Sequence, residues 1–124
     1  MKGNTMEQAR RQQLERLGVN VEETLGRFMD NEELLLKYLR KLKEDTTMEN
    51  LQSALERGEA REAFRCAHTL KGMAATLGLS HLQKEAEKLT DLLRGMSDGE
   101  EIPSFAGRRV QEEMDAILRF TETL

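Results

Sequence analysis

A chain of 124 residues has the length of one domain with a single modest core, so 1–124 is read as one unit. Charged residues make up 34% and aromatics 4%, with no Trp and one Pro, which suits a helical bundle built on Leu, Met and Ala. The net charge of −4 gives no overall attraction to phosphate backbones and weakens any nucleic-acid reading. The apolar 38% is organised in stripes, so disorder does not follow from its modest size. Cys66 is the only cysteine, which rules out an internal disulfide; near an apolar stripe it is read as a small packing residue, with a redox sensor as a distant second reading. No apolar run approaches the roughly 20 residues of a membrane span, and the N-terminus lacks the apolar core of a signal peptide. A cytoplasmic protein with no membrane or nucleic-acid partner is expected.

From Met6 to Leu17 the pattern predicts a short helix, with Met6, Ala9, Leu14 and Leu17 available for packing and Gly18 as its stop. Residues 1–12 are expected to be peripheral or frayed. Asn20 with Glu23 has the residue types of a helix start, followed by Val21, Leu25 and Phe28. This second short helix is expected across one end of the bundle. Asp30 with Glu33 is a similar pair, leading a helix that carries Leu34, Leu35, Tyr38, Leu39 and Leu42. At Asp45-Thr46-Thr47 the pattern hesitates. Either Thr46 and Glu49 cap a new start, or one helix runs on with a kink. Near-continuity through Leu51, Ala54 and Leu55 to Arg57 is favoured, with Gly58 as terminator.

The next helix begins near Glu59 or Ala60. At about 100° per residue, Ala63, Ala67, Leu70, Ala74 and Leu77 fall on one side, the buried stripe of a bundle helix. Arg61, Arg65, His68, Gly72 and Ala75 lie roughly opposite, with Phe64 and Lys71 on the border. A histidine on that side is not a core residue, and Lys71 stands three residues on, within reach of the space above the imidazole. Gly72 costs the helix about 1 kcal/mol relative to alanine, which makes sense where another molecule must approach the histidine. The combination is an imidazole, a nearby cation and a cleared approach.

Gly78 takes the left-handed position at which helices commonly end, and Ser80 with Gln83 makes a further capping box. Leu82, Ala86, Leu89, Leu92 and Leu93 then follow at helical spacing until Gly95. Residues 97–103 form the one long loop, with an Asp-Gly turn and the only proline. Ser104 is placed to cap a last helix with Phe105, Val110, Met114, Ile117 and Leu118 on its apolar side. The fold class predicted is all-α: an antiparallel up-and-down four-helix bundle over about 30–122, with a short N-terminal helical appendage. Its helices are expected near 30–57, 60–77, 80–94 and 104–122.

The run Ala67-His68-Thr69-Leu70-Lys71-Gly72-Met73-Ala74-Ala75-Thr76-Leu77-Gly78 closely resembles the A-H-x-L-K-G-x-A-x-x-[LFIV]-G signature of histidine-containing phosphotransfer (HPt) domains. These are the phosphorelay intermediates of two-component signalling. The likeness extends from about Leu14 through the Leu51…Leu55 and Leu82…Leu92 helices. It implies a phosphocarrier, not an enzyme, in which His68 accepts a phosphoryl group from a receiver-domain aspartate and passes it to another receiver. A neutral imidazole is a nucleophile toward phosphorus, and its phosphoramidate stays reactive enough to hand the group on. Lys71 would steady the phosphoryl charge, and Arg61, Phe64, Arg65, Gly72 and Ala75 would face the partner. Family members often orient the histidine with polar residues about 19 and 22 positions later, here Glu87 and Thr90. Glu87 fits that pattern. Thr90 departs from it, with solvated helix surface the favoured alternative. Met73 stands where a small residue or Ser is common, but well away from the histidine face, so its effect is expected on packing. His81 is read as a surface residue near a helix start.

No cofactor or metal is expected on this chain; Mg²⁺ would belong to the receiver. Cys66 and His68 point to different faces and do not make a metal set with His81. The partners implied are receiver domains and a hybrid sensor histidine kinase, met by a monomer. One alternative is a helical adaptor that docks receivers without taking phosphate. The other is a fragment of a hybrid kinase, against which Met1 and the lack of a long linker are weighed.

Overall fold

A computed structural model of the protein describes residues 6–124, whose regular structure is all helical, with no strand among them. In chain order the elements are α1 (Gln8–Arg16), α2 (Val21–Arg27), α3 (Glu32–Arg40), a 3-10 turn (Lys41–Glu44), α4 (Thr47–Glu56), α5 (Ala60–Leu77), α6 (Ser80–Leu93) and α7 (Arg108–Thr121). The most extensive packing is of α5 against α6 and α4, with α7 laid on α6. No helix among the described residues is long and apolar enough to cross a membrane.

The core is the sum of the stripes. Leu35 and Leu39 from α3, Leu51 and Ala54 from α4, Leu82, Ala86 and Leu93 from α6 and Val110, Met114 and Ile117 from α7 are all buried. They close around Ala63, Ala67, Leu70 and Ala74 of α5, which have no exposed surface. Three alanines on one helix let its neighbours approach closely, at no loss of helix propensity.

Four starts and stops differ from the sequence reading, three of them because a neighbouring polar group or tertiary contact wins. The stretch expected as one helix over 30–57 is broken. It tightens into the 3-10 turn, and Asp45 goes extended at φ −81°, ψ 131°. The Asp45 carboxylate accepts a hydrogen bond from the Thr47 amide at 2.8 Å, whereas Thr46 makes no side-chain cap. An aspartate that bonds to the backbone two residues on offers the chain an alternative to helix. At the start of α3 the cap is Asn31, whose Oδ1 accepts from the Leu34 amide at 3.0 Å, and not Asp30. Asp30 and Met29 both sit at φ 57°, so they form the reversal between α2 and α3 instead. Asn20 caps α2 as expected, accepting from Glu23 at 3.1 Å.

Ser80 does not cap α6. It is the helix's first residue, and its hydroxyl donates to the Gly18 carbonyl at 2.6 Å, fastening the α1–α2 connection to the start of α6. Nor does Ser104 begin α7, which starts at Arg108 after Gly107 at φ 87°. That later start leaves Phe105 in the loop and 62% exposed, off the apolar side where it was expected. Ala9 is likewise exposed, although Met6 and Leu14 of the same segment are buried. Arg10 also pairs with Glu32 at 3.2 Å, so from Met6 onward the N-terminal segment is docked on the bundle. The frayed start expected for 1–12 falls, for residues 1–5, outside the described residues.

Candidate functional site

The 18 residues of α5 divide as their spacing requires. One side buries Ala60, Ala63, Cys66, Ala67, Leu70, Ala74 and Leu77. The other leaves Arg61, Arg65, His68, Thr69 and Gly72 exposed. The helix ends at Gly78, φ 74°, where the Gly78 and Leu79 amides donate back to Ala75 and Ala74 at 3.3 and 2.9 Å. It begins under Asp98, whose carboxylate accepts from the Arg61 amide at 3.0 Å. A second tie, from the Gly99 amide to the Gly58 carbonyl at 3.0 Å, holds the α6–α7 loop against that same end. The start of the helix that carries His68 is therefore anchored by another part of the chain, and Arg27 of α2, donating to the Ala75 and Thr76 carbonyls, ties its other end.

Around His68 the geometry is open. A Cβ added to Gly72 would meet nothing within 4 Å beyond its own stretch of helix backbone, so the helix face is open at that position. Lys71 is half-buried, and its Nζ lies 4.0 Å from Oε2 of Glu87 on α6. Glu87 is thus turned toward the lysine. Thr90 is not the solvated surface residue favoured by the sequence reading. It is buried, and its hydroxyl donates to the Ala86 carbonyl of its own helix at 2.7 Å. Among the described residues no hydrogen bond reaches the imidazole. Its ring instead lies parallel to that of Phe64, one turn earlier, with centroids 6.3 Å apart and planes 3° off parallel.

Two clefts flank the histidine. The first is lined by Arg61, Phe64 and Arg65 on one wall and by Leu93, Met96 and Ser97 on the other. Arg65 is held by a two-pronged pair to Glu62, which keeps the Glu62 carboxyl below its usual range. The second cleft runs between α5 and the end of α3, with Tyr38, Lys41, Thr69, Met73 and Thr76 among its lining. Met73 therefore shares a cleft with His68, against the expectation that it stands well away from the histidine face. The unbranched side chain reaches round the helix further than its Cα position suggests. Ala75 is half-buried, and its carbonyl accepts from Arg27 of α2 at 3.2 Å. His81 is exposed beside Gly18, as its position after Ser80 suggested.

The sequence reading missed Tyr38, Lys41 and Arg94. Lys41 stands 5.4 Å from the centre of the Tyr38 ring and Arg94 5.5 Å from that of Phe64. Both cations come from the ends of other helices, where no periodicity in α5 could point to them. Cys66 is buried and free, and burial together with the nearby Glu62 charge pushes its thiol up.

Taken together, these features define a helical domain that presents one histidine, flanked by a lysine and a glycine, on an otherwise open helix face. The Hpt domain family matches residues 33–120, which spans α3 to α7 and includes that face. The chain belongs to the Hpt domain family, the phosphocarriers of histidine phosphotransfer in two-component phosphorelays, whose partners are receiver domains and kinases. No solved structure matches it.

Proposed function

We propose that this chain is a phosphorelay intermediate whose phosphoryl-accepting residue is His68. An imidazole nitrogen attacks the phosphorus of a receiver's aspartyl phosphate. The N–P bond forms as the acyl O–P bond breaks, and the aspartate leaves as its carboxylate. Transfer onward is the same exchange in reverse, onto the aspartate of a second receiver. Mg²⁺ and most of the catalytic machinery belong to the receiver, so this chain holds and offers the group without being a catalyst. Lys71 supplies a cation next to the phosphoryl oxygens once it lets go of Glu87, a distant, partly exposed pairing that costs little to break. Arg61, Phe64, Arg65, Gly72 and Ala75 form the partner's landing surface.

The supporting architecture is an up-and-down antiparallel bundle in which α3 with α4, then α5, α6 and α7 are the four staves. Short reversals at Gly58 and Gly78 favour that arrangement. The protein acts as a monomer in the cytoplasm, between a hybrid sensor kinase and a response regulator.

The observation that carries the reading is the open presentation of His68 beside the empty space at Gly72. Incubation with a panel of phosphorylated receiver domains tests it, with acid-labile phosphate on this chain as the readout. His68→Gln should abolish the label while the helical content and melting temperature stay close to the parent's, because His68 is exposed and packs in no core. A mutant that still takes label would place the acceptor elsewhere. A parent that docks receivers yet takes no label would make the chain an adaptor.

A further inference from the structure

An exposed imidazole that must meet a phosphorus in line has to hold its ring plane, and a histidine side chain on an open helix face has two torsions free to turn. Something must restrict them. The polar residues available on α6 are engaged elsewhere: Glu87 faces Lys71, and the Thr90 hydroxyl is given to the Ala86 carbonyl. The contact that His68 does have is the Phe64 ring, 3° from parallel.

Phe64 is itself held. Its side chain is partly buried against the core. Over its ring stands the Arg94 guanidinium, 5.5 Å from the centre, in the range of a cation on an aromatic face. Arg94 stands at the end of α6. It leaves the helix at φ −60°, ψ 125°, the next residue Gly95 turns at φ 81°, and its guanidinium bonds Asp91 at 3.2 Å. The loop beyond is tied to the start of α5 through Asp98 and Gly99. A continuous physical brace therefore runs from the α6 terminus through Arg94 and Phe64 to the imidazole.

Resting on the assignment of His68 as phosphoryl acceptor, we infer that Phe64, braced by Arg94, is the positioning residue that sets the plane of the imidazole for transfer. Stacking takes the place of the hydrogen bonds that orient a histidine from a neighbouring helix. A flat aromatic ring at position 64 is what the arrangement needs; bulk and apolarity alone do not supply a plane. Neither residue touches the phosphorus, so both act through the ring they hold.

Four variants separate this role from docking and from folding: Phe64→Leu, Phe64→Tyr, Arg94→Gln and the control His68→Gln. Each is followed by the rate of transfer from a phosphorylated receiver, by labelling with phosphoramidate, by melting temperature, and by NMR relaxation of the imidazole ring in histidine-labelled protein. Phe64→Leu should fold, with a more mobile His68 ring and receiver-driven transfer slowed about tenfold or more, the order expected when a reacting group loses orientation. Phe64→Tyr should restore ring order and bring the rate back to within about twofold of the parent, since it keeps the ring. Arg94→Gln should lie between them on both readouts. A Phe64→Leu protein whose imidazole is as ordered as the parent's overturns the proposal whatever its rate. So does a Phe64→Tyr protein whose imidazole stays mobile, because a flat ring at position 64 would then not be what holds the plane. Ring order needs no phosphoryl group, so it still decides for or against the brace should the parent take no label, the result that instead defeats His68 as acceptor.

Discussion

Gly72 is where helix stability and access to His68 oppose each other most directly. A glycine inside a helix costs about 1 kcal/mol relative to alanine, and a Cβ there would meet only open space. Gly72→Ala should therefore stabilise the isolated protein by up to about 1 kcal/mol, read from urea unfolding. Gly72→Leu should fold as well, because its side chain points into the same open space. The added bulk stands where a receiver must approach, so receiver-driven transfer should fall about tenfold or more, while phosphoramidate still labels His68. A Gly72→Leu protein that exchanges with receivers at the parent's rate would show that clearance is not the reason for the glycine. Failure with the small donor too would mean that Gly72 shapes the histidine itself. At this scale the sequence was informative for the residues that share one helix: His68, Lys71 and Gly72 are where a 3.6-residue period puts them. It was uninformative for Thr90, whose hydroxyl chose its own backbone, and for Arg94, which reaches Phe64 from another helix.

Helix termini carry the information on how the elements meet, and Gly78 is the tightest of them. Its φ of 74° is a conformation an L side chain adopts at a cost of about 1–2 kcal/mol. A Cβ there would also overlap the Thr24 hydroxyl and lie 3.1 Å from the Thr24 Cβ. Thr24 is fully buried and belongs to α2, so the close approach is between the N-terminal appendage and the end of the histidine helix. Gly78→Ala should then cost on the order of 3 kcal/mol, combining backbone strain with overpacking. Equilibrium unfolding measures it, and a loss below about 1 kcal/mol would mean that α2 shifts freely away from α5. Gly58→Ala is the companion, with φ 70° but nothing within 4 Å, so it should lose only the backbone share. The sequence reading found both glycines because a helix end with φ above zero is a local matter. It placed other boundaries wrongly where two adjacent residues were both competent caps, as with Asp30 and Asn31. It also failed where a tertiary acceptor outbid the local one, as when Ser80 bonded Gly18.

At the scale of the whole molecule, Cys66 reports on the cooperativity that these contacts create. It lies on the buried side of α5, two residues before the exposed His68, and its thiol points at Oε2 of Glu62 at 3.6 Å. Burial first, and then the Glu62 charge, raise the thiol above its ordinary range, so the thiolate that reagents attack is scarce in the native state. The folded chain holds this proton more tightly than the unfolded chain does. The stability linked to it is complete below the ordinary thiol range and is lost as pH rises through the raised, folded value. Two measurements follow. A thiol reagent at pH 8 should modify Cys66 slowly in the native protein, and the rate should climb with urea in step with the global unfolding transition, because α5 is packed against both α4 and α6 and has no small opening to use. Stability should also fall between neutral and alkaline pH, and Glu62→Gln should move the end of that fall. Removing the carboxylate deletes a raising charge and leaves Arg65 as a lowering one, so the shift is toward lower pH. Fast modification without urea, insensitive to added denaturant, would mean that α5 opens locally, and a helix that frays in this way could not hold His68 and its lysine in one fixed array for an incoming receiver.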